Sequence, residues 1–145
     1  MRTRGAFAPT TRAEALERYE DAGPAAKTAV RETAKAMEFD ADEYDERVRP
    51  EVVETARDAI FAELLVVHVG TRAAFDDWLS TAEYDEEDVT QLGADTVDNV
   101  AWHPIPFVET VLATTFQDGE DAAVSTLRRN AFGRVYREEF YESKK

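Results

Sequence analysis

Apolar positions along this chain recur mostly three and four residues apart, and one central stretch breaks that rhythm. Thr11-Arg12-Ala13-Glu14 reads as a capping box, in which the two outer side chains satisfy amides left free at a helix start. The helix it opens is expected to reach about Glu20 and to stop before Gly23. Pro24 suits the first turn of a second helix, with Ala26, Val30, Ala34 and Met37 on one face and Lys27, Arg31 and Lys35 beside them. Asp40 opens a short third helix, and Pro50 a fourth whose stripe is Val53, Ala56, Ile60 and Leu64. Leu64-Leu65-Val66-Val67-His68-Val69-Gly70 then turns β-branched and reads as a buried strand, with a continued helix as the competing assignment.

Thr71 caps a helix carrying Phe75, Trp78, Leu79 and Ala82, and residues 88–92 and 96–102 are further strand candidates. Pro104 or Pro106 is expected to open a helix with a core face of Val108, Val111, Leu112 and Thr115. The last helix should run from about Glu120 to Tyr141, the longest of all, with Val124, Leu127, Ala131 and Val135 as its stripe. These elements predict a mainly α fold: a single-domain multi-helix bundle of about six helices around a long central C-terminal helix. A small two- or three-stranded β element from residues 65–69, 88–92 and 96–102 crosses its middle. The expected divisions are an arm over 1–10 anchored by Phe7, one helical domain over 11–141 and a tail over 142–145. The expected core is Val53, Ile60, Leu64, Phe75, Trp78, Leu79, Val111, Leu112, Leu127 and Val135.

Composition narrows the picture. A length of 145 residues suits one domain with a real core. No stretch approaches the roughly 18 apolar residues of a membrane span, and the N-terminus lacks the apolar run of a secretory signal. Without Cys there are no disulfides, thiolate nucleophiles or Cys-type metal sites. A soluble, cytoplasmic protein is the expectation.

Charge adds more. Acids outnumber Lys plus Arg by 31 to 17, giving a formal charge of -14, and from Ala73 to Leu127 there is no Lys or Arg at all. Such a surface repels itself unless salt screens it, which points to a high-salt cytoplasm. A basic partner is the rival explanation of the acidity.

Two groups of residues carry candidate chemistry. In Asp98-Asn99-Val100-Ala101-Trp102-His103-Pro104-Ile105-Pro106-Phe107, two prolines imply an extended loop. There His103 could act as general acid or base, oriented by Asp98 or Asn99. Its plainer reading is structural, with Trp102 and Phe107 filling core. In the last helix Arg128 falls inside the apolar arc, where a guanidinium must be paired or reach past the core edge. It is expected either to clamp a carboxylate of the acidic middle or to receive an anionic ligand. Arg129, Arg134 and Arg137, with Asn130 and Tyr136, could grip and stack on nucleic acid. The overall acidity opposes such binding, and pairing with the acidic segment is the favoured expectation. Two lone histidines give no zinc signature, and residues 40–51 fail as a calcium loop where the turn needs Gly. The acids at Glu83, Asp85, Glu86, Glu87 and Asp88 read as a solvated loop, with docking of a basic protein or of cations as the alternative.

Three segments, GPAAKTAVRETAKAMEFDADEYDERV, VDNVAWHPIPF and ATTFQDGEDAAVSTLRRNAFGRVYRE, resemble those of a small haloarchaeal family classified only as a domain of unknown function. The likeness runs from about Gly5 to Glu138. It implies a halophilic archaeal cytoplasm and brings no activity, cofactor or site residue. The function expected from the sequence is a non-enzymatic helical module that binds another protein, through the segment from Asp98 to Phe107 or the arginine face. No cofactor, metal or membrane is implied, and self-association stays open. An RNA- or ribosome-associated protein using the arginines is one alternative. An enzyme with an anion-binding pocket around His103 and Arg128 is the other.

Overall fold

The computed structural model describes residues 1–143, and its centre is a five-stranded mixed sheet. The strands are β1 (Arg2–Arg4), β2 (Val67–Thr71), β3 (Val89–Leu92), β4 (Asn99–Ile105) and β5 (Thr110–Phe116), in spatial order β1-β2-β4-β5-β3. All neighbours are antiparallel except β3 and β5, which run parallel. The helices are α1 (Arg12–Ala36), α2 (Ala41–Arg47), α3 (Pro50–Leu64), α4 (Arg72–Thr81), α5 (Glu120–Ala131) and α6 (Arg137–Ser143). The molecule is therefore an α/β fold, and the expected mainly α bundle is wrong. Its strands are drawn from Arg2 to Phe116 and are not confined to the middle of the chain.

Both faces of the sheet are covered. Val67 and Val69 of β2, Ala101 and Ile105 of β4 and Leu112 of β5 pack against Tyr19, Phe61, Leu127 and Tyr136 from the helices of one side. Val100 and Trp102 of β4, with Val111 and Ala113 of β5, pack against Phe75 and Leu79 of α4 on the other. Strands buried on both faces lose the polar-apolar alternation that would mark them. This explains why 110–116, which suggested a helix, is a strand: Val111 and Leu112 are both core, on opposite faces. Pro104 lies within β4 where pairing with β2 has ended at Trp102 and only β5 remains beside it. A residue without an amide proton is tolerated there. Pro106 opens a single 3-10 turn, and Glu109 in the left-handed region (φ 50°) completes the reversal into β5.

One half of the expected capping box forms, the Thr11 hydroxyl accepting from the Glu14 amide at 3.1 Å, while the Glu14 carboxylate accepts from the amide of Thr10, one residue before the cap, at 2.8 Å. The helix it opens does not stop at Gly23. It continues through Pro24 to Ala36, so the two helices expected here are one. A Cβ at Gly23 would lie 3.8 Å from the Arg57 side chain of α3, and Ala15, Tyr19, Ala22, Ala26 and Ala34 share the buried face. Packing along that face outweighs the roughly 3 kcal/mol a proline costs inside a helix. With α2 across the turn, α1 and α3 form a hairpin.

The last helix is continuous in path but not in register. Phe132–Tyr136 form a π-helical turn between α5 and α6, closed by the Arg137 amide donating to the Phe132 carbonyl. One extra residue per turn rotates everything beyond it by about 100°. The buried positions pass from Val124, Leu127 and Ala131 to Phe132, Tyr136 and Phe140, while Val135, expected in the core, is only half-buried. Val53, Ile60 and Leu64 are likewise half-buried, their places taken by Phe61, Ala62 and Leu65. The expected arm begins as the edge strand β1, with Phe7 packed edge-on against Phe61. Of the expected tail, α6 includes the residues up to Ser143, and 144–145 lie outside the described residues.

Candidate functional site

His103 and Arg128, chosen from the sequence as two halves of a pocket, do meet at one place. That place is the junction where α3 ends and β2 begins. Three consecutive carbonyls there, freed by the end of the helix, each find a different donor. The Leu64 carbonyl accepts from the Ala6 and Phe7 amides at 2.9 and 2.8 Å. The Leu65 carbonyl accepts from Arg128 Nε at 2.9 Å. The Val66 carbonyl faces His103 Nδ1 at 2.6 Å. Helix ends leave such acceptors orphaned, and the negative end of the helix dipole favours a cation. Arg128 thus serves a backbone carbonyl, not a carboxylate of the acidic middle. Burial and the nearby Arg4 lower its pKa, with Glu63 opposing. Gly5, at φ +111°, is required beside it, since a Cβ there would collide with the Leu65 carbonyl.

The geometry also sets the protonation of His103. A carbonyl can only accept, so Nδ1 carries the proton, and Nε2 accepts from the Tyr136 hydroxyl at 2.8 Å. The imidazole is 1% exposed. Burial pushes its pKa down to about 4, with the Val66 carbonyl opposing and the charges of His68 and Arg128 adding to the fall. Burial also raises that of Tyr136. With both nitrogens engaged and no exposure, His103 cannot meet a substrate, and the enzymatic reading built on it is withdrawn. The stretch from Asn99 to Ile105 is strand rather than loop. Asp98 and Asn99 lie exposed at its start, where Asn99 donates to the Gln117 carbonyl at 3.2 Å, and neither orients His103. Trp102 is fully buried on the opposite face of the sheet, against Phe75.

The arginine face is divided in the same way. Tyr136 is buried and offers no ring for stacking on a base. Arg137 lies 3.6 Å from Asp58 of α3, not from the acidic middle. Arg129 and Arg134 remain exposed, with Arg129 reaching the Thr126 hydroxyl at 3.4 Å. The acids at the start of α5 pair with the edge strand instead: Arg4 with Glu120 at 3.1 Å and Asp121 at 2.8 Å, and Arg2 with Glu120.

One cleft of about 500 Å³ lies beside Arg2, Asn99 and Glu120 and another of about 400 Å³ beside Arg72, Glu86 and Gln91, while two neighbouring concavities lie at the far end of the α1–α2–α3 hairpin. An apolar groove of about 290 Å³ runs along Ala29, Val30, Met37, Phe39, Val52 and Ala56. Met37 and Val52 are 57% and 42% exposed, and the Arg47 guanidinium lies 5.3 Å over the Phe39 ring. Beside it a larger cleft of about 580 Å³ is lined by Lys27, Arg31, Arg49 and Arg57, with Glu54 as its one acid. The cations of α1 are legible in the sequence from their helical spacing, whereas those at the start of and within α3 reach the same opening only through the fold. Among the described residues, no group of His, Asp and Glu is arranged to hold a metal ion.

A family model described as a family of unknown function, DUF5809, matches residues 6–137. The chain belongs to this family. No curated protein and no solved structure matches it. Among the described residues no helix is long and apolar enough to cross a membrane.

Proposed function

We propose that this member of the family is a non-enzymatic interaction module, and that its docking element is the far end of the α1–α2–α3 hairpin. The supporting observation is the apolar groove there, with Met37 and Val52 left open on its border. Exposed apolar side chains gathered along a concavity mark protein contact sites. Arg47 at the border sets the complementary chemistry: an apolar partner segment flanked by an acid. A partner of that kind would bury the groove and meet the guanidinium. The test is affinity capture at molar KCl with the intact chain and with Met37→Glu and Val52→Glu together. A defined partner captured by the first and lost from the second, with the variant's melt unchanged, supports the reading. Equal capture by both overturns it, and so does a groove filled by a second copy of the chain alone, seen as dimerisation that the double variant abolishes.

A further inference from the structure

The cation-lined cleft has features that a protein-docking groove does not require. Acids nearly double bases in this chain. Even so, among the described residues Lys27, Arg31, Arg49 and Arg57, which gather at one opening, form no ion pair. Arg18, Arg47, Arg72, Arg128, Arg129 and Arg134 form none either, but none of them lines this cleft. Lys27 and Arg31 stand one turn apart on α1, and Arg49, capping the start of α3 with its Nε donating to the Glu46 carbonyl at 3.1 Å, lies about 12 Å along the axis from Arg57. Four like charges around one opening repel each other, and Glu54 offsets only one of them. Arg57 is also held: its guanidinium lies 4.2 Å over the Tyr19 ring, and its Nε is buried with no hydrogen-bond partner. A buried donor left without an acceptor is destabilising until something accepts from it. The wall between these cations is apolar and aromatic: Tyr44, Val48, Pro50 and Val53.

We infer that this cleft binds a small organic phosphate of the nucleotide class. Its phosphates sit among the guanidinium forks and Lys27, and its ring lies against Tyr44 and the aliphatic wall. Arginine forks match phosphate oxygens two at a time, and lysine adds a point charge. The volume of about 580 Å³ is that of a small-molecule pocket, which favours such a ligand over a protein surface. An acidic peptide would satisfy the cations, yet it would leave the Tyr44 wall without a counterpart. The inference concerns a different opening from the apolar groove and stands or falls separately.

Calorimetric titration of the whole chain at molar KCl with ADP, with pyrophosphate and with adenosine tests it. The expected result is that ADP binds more tightly than either part alone. Arg31 and Arg49 are exposed, so Arg31→Ala with Arg49→Ala leaves the fold intact, and the double variant should lose at least tenfold in ADP affinity. The pair Arg129→Ala with Arg134→Ala, away from the cleft, should leave ADP binding unchanged. Absence of both ADP and pyrophosphate binding to a chain with a normal melt overturns the inference. Equal binding of ADP and pyrophosphate overturns the nucleotide class, and tighter binding of a poly-glutamate peptide than of ADP does the same. Undiminished ADP binding by the cleft variant removes the site.

Discussion

At the scale of single residues, His103 carries the clearest consequence of burial. Its protonation site is open near pH 6.5 when the chain is unfolded, and only near pH 4 when folded. Between those values the unfolded state binds the extra proton. Stability is therefore full above pH 6.5, falls as pH descends through the interval and levels off below 4. The difference corresponds to about 3 kcal/mol. Urea melts at several pH values should show wild type losing about that much more than His103→Gln between pH 6.5 and 4. Equal slopes in the two proteins would contradict the buried neutral imidazole. His68, half-buried and also lowered by desolvation, slopes the same way in both. From the sequence, a histidine between Trp102 and Pro104 looked reactive because the prolines suggested an irregular segment. What could not be read was a backbone partner 37 residues earlier and a tyrosine 33 residues later, both brought in by the sheet. Arg128 follows the same logic: its position in an apolar arc announced a partner, and only the fold could say that the partner was a carbonyl.

At the scale of elements, signals confined to a few neighbouring residues were legible. The caps at Thr11, Asp40 and Thr71 all form, as do the helix opened by Pro50 and strands close to 65–69, 88–92 and 96–102. Elements whose identity depends on what covers them were not. β5 satisfied a helical template because both its faces are core, and α1 survives its proline because a partner helix holds it. The π turn is the sharpest case, since no local residue marks a one-position shift of the buried face. It leads to an unusual expectation. Deleting Gly133, whose Cβ position faces open space, should convert the turn to ordinary α-helix and keep Tyr136 and Phe140 on the sheet side. Deleting Ser125 inside α5 should instead swing Leu127 out of the core, at a cost of several kcal/mol. Thermal melts of the two deletions should differ widely, with the Gly133 deletion near wild type. Similar losses in both would mean that the extra residue does not set the register.

For the whole molecule, the base-free window from Ala73 to Leu127 supplies all of α4 but its first residue, three strands and most of α5, with most of its acids exposed. The two arginines of β1 meet only the last of them. Mutual repulsion across this surface is screened by salt over about 10 Å at 0.1 M and about 3 Å at 1 M. We expect the melting temperature to climb by several degrees between millimolar and molar KCl, as followed by circular dichroism. A flat response would remove the high-salt adaptation proposed from composition. Charge was the most readable property of the chain, because it needs no fold to be counted. Its exception, the unpaired cation cleft, needed the hairpin to be seen.

The bond chain from Val66 through His103 to Tyr136 has one more use. Its two bridging protons are carried by a buried imidazole and a buried tyrosine. Each should give a far-downfield, slowly exchanging magnetic resonance line at neutral pH, a built-in reporter of whether the seam between the hairpin, the sheet and the final helix has opened.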